Sequence, residues 1–387
     1  MKKVFFVLIL VLIFVCFVFR ISIEEEPPLV SPEPLTTSSS QEVSLHLVAV
    51  GDNLIHGPIY REAAMRTGGE GFDFQPVYEL VAPYVANADL AFINQETPLG
   101  GTELGLSSYP QFNSPQELGD CLTNLGFNLI SHANNHVLDQ GEKGFANTLH
   151  YWSGQEKAVM AGIYSDQTTA AQVPVLEKDG VSVAFLAYTY GTNGLVLPAD
   201  SNGDVAYIDE ERMLSDIKKA HEAADIVIVS MHWGMEYQQT PTEKQKQLAA
   251  QLAAADVDIV LGHHPHVIQP VTVLEQPDGG STVVYYSLGN FVSNQDNPAT
   301  MLGGMAAVDF VYQMEEDQVV FDSIRFIPLV THYGKKFSDT KIYPLADYTE
   351  ELAAQHGIRQ KNADFSLDYL TKLARNTIAV DYLEYVQ

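Results

Sequence analysis

The first pattern along the chain is an unbroken apolar run from Val4 to Phe19, preceded by Lys2 and Lys3. As a helix these residues span about 24 Å, and extension to Ile23 with Arg20 snorkelling reaches about 30 Å, enough to cross a bilayer. No small-residue cleavage signal follows. The pattern therefore predicts an uncleaved single-pass anchor in the cell membrane over residues 1–23, with an extracytoplasmic body. Residues 24–42, EEEPPLVSPEPLTTSSSQE, carry proline, hydroxyls and acid without apolar periodicity and read as a disordered linker.

From Val43 onward, short apolar runs alternate with amphipathic stretches. VSLHLVAV (Val43–Val50), DLAFIN (Asp89–Asn94), FNLIS (Phe127–Ser131), VSVAFLAYTY (Val181–Tyr190), DIVIVSM (Asp225–Met231) and DIVLG (Asp258–Gly262) predict strands. Glu142–Ser153, Asp209–Ala224 and Pro241–Ala255 predict helices. Ser114-Pro115-Gln116-Glu117 reads as a capping box opening a further helix to about Leu125. TVVYYSLGN, GMAAVDFVYQ and a hairpin-like pair around Asp317 close the core. Strands alternating with helices indicate an α/β class, here a two-sheet sandwich flanked by helices over 43–345, with a C-terminal helical extension over 346–387.

Composition narrows the function. The 387 residues carry 21 basic and 49 acidic side chains, a formal charge of −28. Such a field repels nucleic acid, which is excluded as a partner. Cys16 falls in the apolar leader and Cys121 is the other cysteine, so neither a disulfide framework nor a Cys₄ zinc site is available. Any bound cation must be held by His, Asp, Glu and Asn.

Those residue types recur just past predicted strand ends: Asp52, Glu96, Asn135 with His136, His232, and His264 with His266. Ligands of α/β folds gather at that edge. One Asp, one Glu, one Asn and several His form a mixed nitrogen and oxygen set that suits Mn, Fe or Zn better than Ca. The set is larger than one tetrahedral ion needs, so two divalent metal ions about 3.5–4 Å apart are expected. In GHHPHV (Gly262–Val267) three imidazoles crowd four positions, and the local string does not say which of them bind.

The order Asp52, Glu96, NNH (Asn134–His136), HWG (His232–Gly234) and HPH (His264–His266) resembles the five strand-end motifs of calcineurin-like metallophosphoesterases. GDNLIHG, ADLAFINQETPLG, ANNHVLDQG, MHWGMEY, GHHPHVIQPV and YYSLGNF together resemble the CapA-type poly-γ-glutamate capsule biosynthesis proteins, over roughly Ser44 to Phe291. The resemblance implies that Asp52 binds a first metal, that Glu96 bridges, and that Asn135 and His232 hold a second. His264 and His266 would serve one ion each, with His136 as general acid oriented by Asp139. Two departures stand out: Leu54 holds the slot where the superfamily has the His of Asp-x-His, and Glu96 replaces an Asp. His56 either substitutes from the same loop or is a solvated loop histidine.

His263, Asn94, Glu236 and Asn290 are candidates for supporting the ligands, and His132 either lines the pocket or ends a strand. Trp233 and Tyr237 either wall a cleft or pack. His46 reads as a sheet-face residue, and His150, His221, His332 and His356 as surface or helix residues. By resemblance the protein acts in synthesis or export of poly-γ-glutamate or a similar anionic polymer, through metal-assisted hydrolysis or transfer at a phosphoryl or acyl centre. Its implied partners are the membrane and other polymer-synthesis or export subunits. Two rivals share the site: a non-catalytic polymer-binding subunit of a membrane complex, and a metal-dependent amidase.

Overall fold

The computed structural model describes residues 42–384 apart from Asp278. The expected anchor, and the linker up to Gln41, lie outside the described residues. Among the described residues no helix is long and apolar enough to cross a membrane. The described residues cluster as one compact unit.

In chain order the strands are β1 (Glu42–Asn53), β2 (Leu90–Asn94), β3 (Leu129–Ser131), β4 (Val159–Ala161), β5 (Ile163–Tyr164), β6 (Val175–Lys178), β7 (Val181–Thr189) and β8 (Asp204–Val205). They continue with β9 (Ile226–His232), β10 (Ile259–His263), β11 (Val271–Glu275), β12 (Ser281–Tyr285), β13 (Asn290–Val292), β14 (Leu302–Gln313), β15 (Gln318–His332) and β16 (Lys341–Pro344). The larger sheet runs β16-β15-β14-β1-β2-β3-β4, with β13 added beside β1; the second runs β11-β12-β10-β9-β7-β6. The strands that matter here are parallel: β1 to β4 in the first sheet, and β7, β9, β10 and β12 in the second.

Alternation along each strand explains the layering. Leu45, Leu47 and Ala49 of β1 and Leu90 and Phe92 of β2 share one core with Val183 and Phe185 of β7, Ile228 of β9 and Leu261 of β10. The intervening residues face outward, yet they are apolar too. Val48, Val50, Ala91 and Ile93 meet the helices Gly57–Arg66 and Glu117–Leu125. On the other side, Ala184, Leu186, Val227 and Val229 meet the helices Glu210–Ala223 and Glu243–Ala253. Parallel strands covered on both faces read as continuous hydrophobic runs, which is why the sequence showed runs rather than alternation. The result is a helix-flanked sandwich of two sheets.

Two glycines mark where strands deliver the site. A Cβ on Gly51 would lie 1.9 Å from the Gly289 carbonyl oxygen, and one on Gly262 would lie 2.0 Å from that of Tyr286. Only glycine lets β1 and β10 run this close to their neighbours immediately before Asp52 and His263.

Three sequence expectations need correction. The helix after Ser114 begins at Glu117 with Gln116 at its N-cap and no side-chain cap. Ser114 is fully buried and its hydroxyl lies 2.8 Å from that of Thr97, so the neighbouring loop takes the group a capping box would use. His332 and His356 are not surface residues. His332 is buried at the end of β15 with Nδ1 2.7 Å from the Tyr348 hydroxyl, and His356 donates from Nε2 to the Thr331 carbonyl. Their segment packs Tyr348, Ile358, Phe365 and Leu370 into the central core, so the C-terminal residues complete the sandwich.

Candidate metal centre

The C-terminal ends of β1, β2, β9 and β10 converge with the loop after β3. Buried Asp52, at the end of β1, receives Asn94 Nδ2 at 2.8 Å and the His264 backbone N–H at 3.3 Å. His266 Nδ1 lies 3.0 Å from Asp52 Oδ2 and 3.0 Å from Asn290 Oδ1. With two acceptors on Nδ1, that nitrogen carries the proton, and Nε2 is left facing Glu96 Oε1 at 3.8 Å. Burial alone would raise the Asp52 pKa, but the His266 hydrogen bond and charge, helped by His263 and Asn94, hold it below the usual carboxylate range. Burial likewise opposes protonation of His266, yet Glu96 and Asp52 hold its pKa up at about 9.

Glu96 lies at the centre. Its Oε1 is 3.8 Å from His232 Nε2 and 4.0 Å from His136 Nε2, in addition to His266. Both carboxylate oxygens are buried without a hydrogen-bond partner. Burial first, and the Asp52 charge second, push its pKa well above the usual range. Asn135 Oδ1 meets His232 Nε2 at 2.9 Å, while its Nδ2 donates to Asn193 Oδ1 at 3.3 Å. His232 is kept neutral by burial and then by the surrounding imidazoles; burial, followed by the His266 charge, takes His264 down to about 3.

The HPH turn is strained. His264 and His266 both have left-handed backbones, with φ of 95° and 57°. Bulky residues adopt that region at a cost, and such cost collects at functional sites. Here it accompanies two imidazoles, on either side of Pro265, whose ligand atoms come within 4.8 Å of each other. Ligand atoms of Asp52, Glu96 and His266 fall within 4.8 Å of one another, as do those of Glu236, His264 and His266.

A buried carboxylate without a donor, with His232 and His264 held neutral beside it, is costly unless a cation supplies the missing partner. His264 Nδ1 and Asn94 Oδ1 are likewise buried and unpaired. This donor set fits divalent metal. Binding there would release the His266 proton, since a ligating imidazole is neutral.

The structure brings Asp52, Glu96, Asn135, His136, His232, His264 and His266 together. Asp139 Oδ2 is 2.8 Å from His136 Nδ1 and also accepts the Phe112 backbone N–H at 2.7 Å, fixing the imidazole with Nε2 toward Glu96. His263 is buried, 3.6 Å from Asp52 and stacked on Phe92. Asn94 and Asn290 hold Asp52 and His266, and Glu236 stands exposed beside His264 and His266. His56 turns its Nδ1 toward the backbone, 3.0 Å from the Leu54 carbonyl oxygen and 3.2 Å from the Asn294 nitrogen. Leu54 is buried in core packing. His132 accepts from Trp152 Nε1 behind β3, and Trp233 packs inward and donates to the Tyr286 carbonyl.

Sequence reasoning missed Tyr190, whose ring lies 4.5 Å from that of His264, and Phe112, edge-on to His136 at 4.8 Å. Tyr190 follows the end of β7, so the strand-end rule could have found it. Phe112 comes from an irregular loop and carries no such signal. It also missed Gln95, which accepts Asn53 Nδ2 at 2.6 Å and donates to Thr97, holding the backbone on either side of Glu96.

PGA biosynthesis protein CapA of Bacillus subtilis is 31% identical over 226 residues, 57% of either chain. Capsule biosynthesis protein CapA of Bacillus anthracis is 29% identical over 262 residues, 65% of this chain and 60% of that one. The matches thus span under two thirds of the curated relatives. A solved phosphatase from Mycoplasma pneumoniae aligns with a TM-score of 0.46 and 13% identity, over 75% of this chain and 95% of that one. The model of the bacterial capsule synthesis protein PGA_cap family matches residues 46–295, the stretch that carries every residue of the candidate metal centre, and the chain belongs to that family.

Proposed function

We propose that this is a membrane-anchored, extracytoplasmic, metal-dependent hydrolase or transferase of phosphoryl centres, acting in the making or export of an anionic capsule polymer of the poly-γ-glutamate kind. One observation carries the chemistry: the buried, donor-free carboxylate of Glu96 surrounded by the Nε2 atoms of His136, His232 and His266 at 3.8–4.0 Å. Family membership and the capsule-biosynthesis relatives support the polymer context. The apolar run Val4–Phe19 supports the anchor.

In this reading Asp52, Glu96 and His266 would hold one ion, and Glu96, Asn135, His232 and His264 another. Bound divalent ions would supply a nucleophilic water at neutral pH and neutralise charge on the reacting oxygens. Asn94 and Asn290 keep Asp52 and His266 aimed. His136 holds the proton that the leaving alkoxide takes from Nε2, and Asp139 anchors Nδ1 so that Nε2 stays in line.

The test is metal analysis of the purified full chain with a phosphodiesterase assay, against the His264→Ala/His266→Ala double mutant. Stoichiometric metal and turnover, both lost in the double mutant, are expected. No bound metal under any loading condition would sink the proposal. A second reading, a polymer-binding subunit without turnover, is favoured by Leu54, which is buried where the superfamily places a ligand. It requires a His136→Ala strain to make normal polymer, whereas catalysis requires polymer to fail at normal protein level.

A further inference from the structure

Three tyrosines stand around the opening of the candidate metal centre: Tyr109, Tyr190 and Tyr237 are 75%, 48% and 48% exposed. Exposed aromatics are costly to keep in water without a use, and each of these is tied to the site. The Tyr190 ring lies 4.5 Å from His264 and stacks parallel to His232 at 6.2 Å. Tyr237 faces His266 at 6.2 Å and is held in a left-handed backbone, φ 64°, by donating its N–H to the Pro265 carbonyl at 2.8 Å. An aromatic residue in that conformation is an outlier, and here it is pinned by the proline between the two candidate ligands. Tyr109 lies edge-on to Phe112, which in turn lies edge-on to His136.

The exposed charged group beside His264 and His266 is the Glu236 carboxylate. Among the described residues, no lysine or arginine hydrogen-bonds or ion-pairs with Asp52, Glu96, His136, His232, His264 or His266. A polyanion laid across this opening would meet carboxylates and a chain of net charge −28. Aromatic faces beside a carboxylate suit the opposite kind of group: an uncharged ring, aromatic or saturated, whose apolar face packs on tyrosine and whose hydroxyl or N–H groups donate to Glu236.

We infer that Tyr109, Tyr190 and Tyr237 form a specificity wall that selects a small phosphoryl ester bearing an uncharged ring, a sugar or a base, rather than a stretch of the anionic polymer. The inference rests on the metal-centre reading above, and identifies the substrate class of that site. Only the phosphoryl group reaches the ligands; the ring stays at the wall.

The test is calorimetric binding of phenylphosphonate, a glucosyl phosphonate and methylphosphonate to the metal-loaded full chain. A ring stacked on tyrosine is worth roughly three- to tenfold in affinity, so one or both ring compounds bind about tenfold tighter than methylphosphonate. Which one does so separates a base from a sugar. In Tyr109→Ala, an exposed position that does not threaten folding, and in Tyr237→Gly, which relieves the backbone, that preference shrinks to about twofold. Equal affinity for ring and methyl compounds, no binding of any of them, or a preference unchanged in both variants overturns the inference. So does a γ-linked glutamate oligomer whose affinity rises with length above that of the ring compounds. A ring preference that survives while no phosphoester is hydrolysed sinks the catalytic proposal and leaves the wall standing.

Discussion

Glu96 decides more at the scale of single residues than any imidazole. Without a cation its two oxygens are buried and unpaired, a cost the group meets by holding a proton or by binding a metal. Glu96→Gln removes the ionisable group and keeps the volume. In chelator the variant should therefore be more stable than the parent, by about 1–3 kcal/mol. With metal it should be less stable, because the ligand is gone; urea unfolding with and without Mn²⁺ reads both signs. A variant destabilised in chelator would mean that Glu96 is satisfied by something other than an ion. Asp139 gives a second prediction at the same scale. Asp139→Asn leaves a hydrogen-bond partner for Phe112 but no charge for His136, so kcat should fall about 10²-fold with metal content unchanged. Equal losses of kcat and bound metal would place Asp139 among the groups that hold the ion. The ligating residue types and their strand ends were legible because each follows an apolar run directly. The left-handed turns at His264 and His266 were not, since no local pattern marks histidine for positive φ. Nor was the contact of His56 with Asn294, 238 positions away.

Elements show how one signature can mean two things. Ser114-Pro115-Gln116-Glu117 and Thr242-Glu243-Lys244-Gln245 both spell a capping box. The second is formed: Thr242 accepts the Gln245 N–H at 3.2 Å and Gln245 Oε1 accepts the Thr242 N–H at 2.9 Å. The first is not, because Ser114 is buried against Thr97, and buried hydroxyls go where the tertiary partner is. Thr242→Ala should cost about 1 kcal/mol and speed amide exchange in the first turn of the helix Glu243–Ala253. Ser114→Ala should leave exchange in the first turn of the helix Glu117–Leu125 as it was, since that turn never used the hydroxyl. Acceleration in both helices would restore the sequence reading. The central strands, by contrast, were legible: burial on both faces writes itself as an unbroken apolar run, and six of the runs read from sequence became β1, β2, β3, β7, β9 and β10. The short strands β4, β5, β8 and β13 escaped because two or three residues carry no period, and β6, β11 and β16, of four or five residues, escaped as well.

The whole molecule closes through its C-terminal segment, and pH reads that closure. His356 accepts the Ile358 N–H on Nδ1 at 3.0 Å and donates from Nε2 to Thr331 at 3.0 Å, so only the neutral ring satisfies both bonds. Its ring meets those of His332, Tyr333 and Phe365 at 4.9, 4.5 and 4.7 Å. Burial takes His356 down to about 3, partly countered by the Thr331 carbonyl, and takes His332 down to about 4. In the unfolded chain both titrate near the ordinary value of about 6.5. Below that value the unfolded state binds protons that the folded state refuses, so stability falls as pH falls, at up to about 1.4 kcal/mol per pH unit for each histidine. The loss from these two begins near pH 6.5 and ends for His332 at about 4 and for His356 at about 3. His356→Gln cannot take up the proton. In chelator, between pH 6 and 4, its stability should decline less steeply than the parent's by close to one proton's worth of slope, even if it starts lower at pH 7. Parallel declines would show that His356 is protonated in the folded protein, and that the C-terminal segment docks without needing a neutral ring.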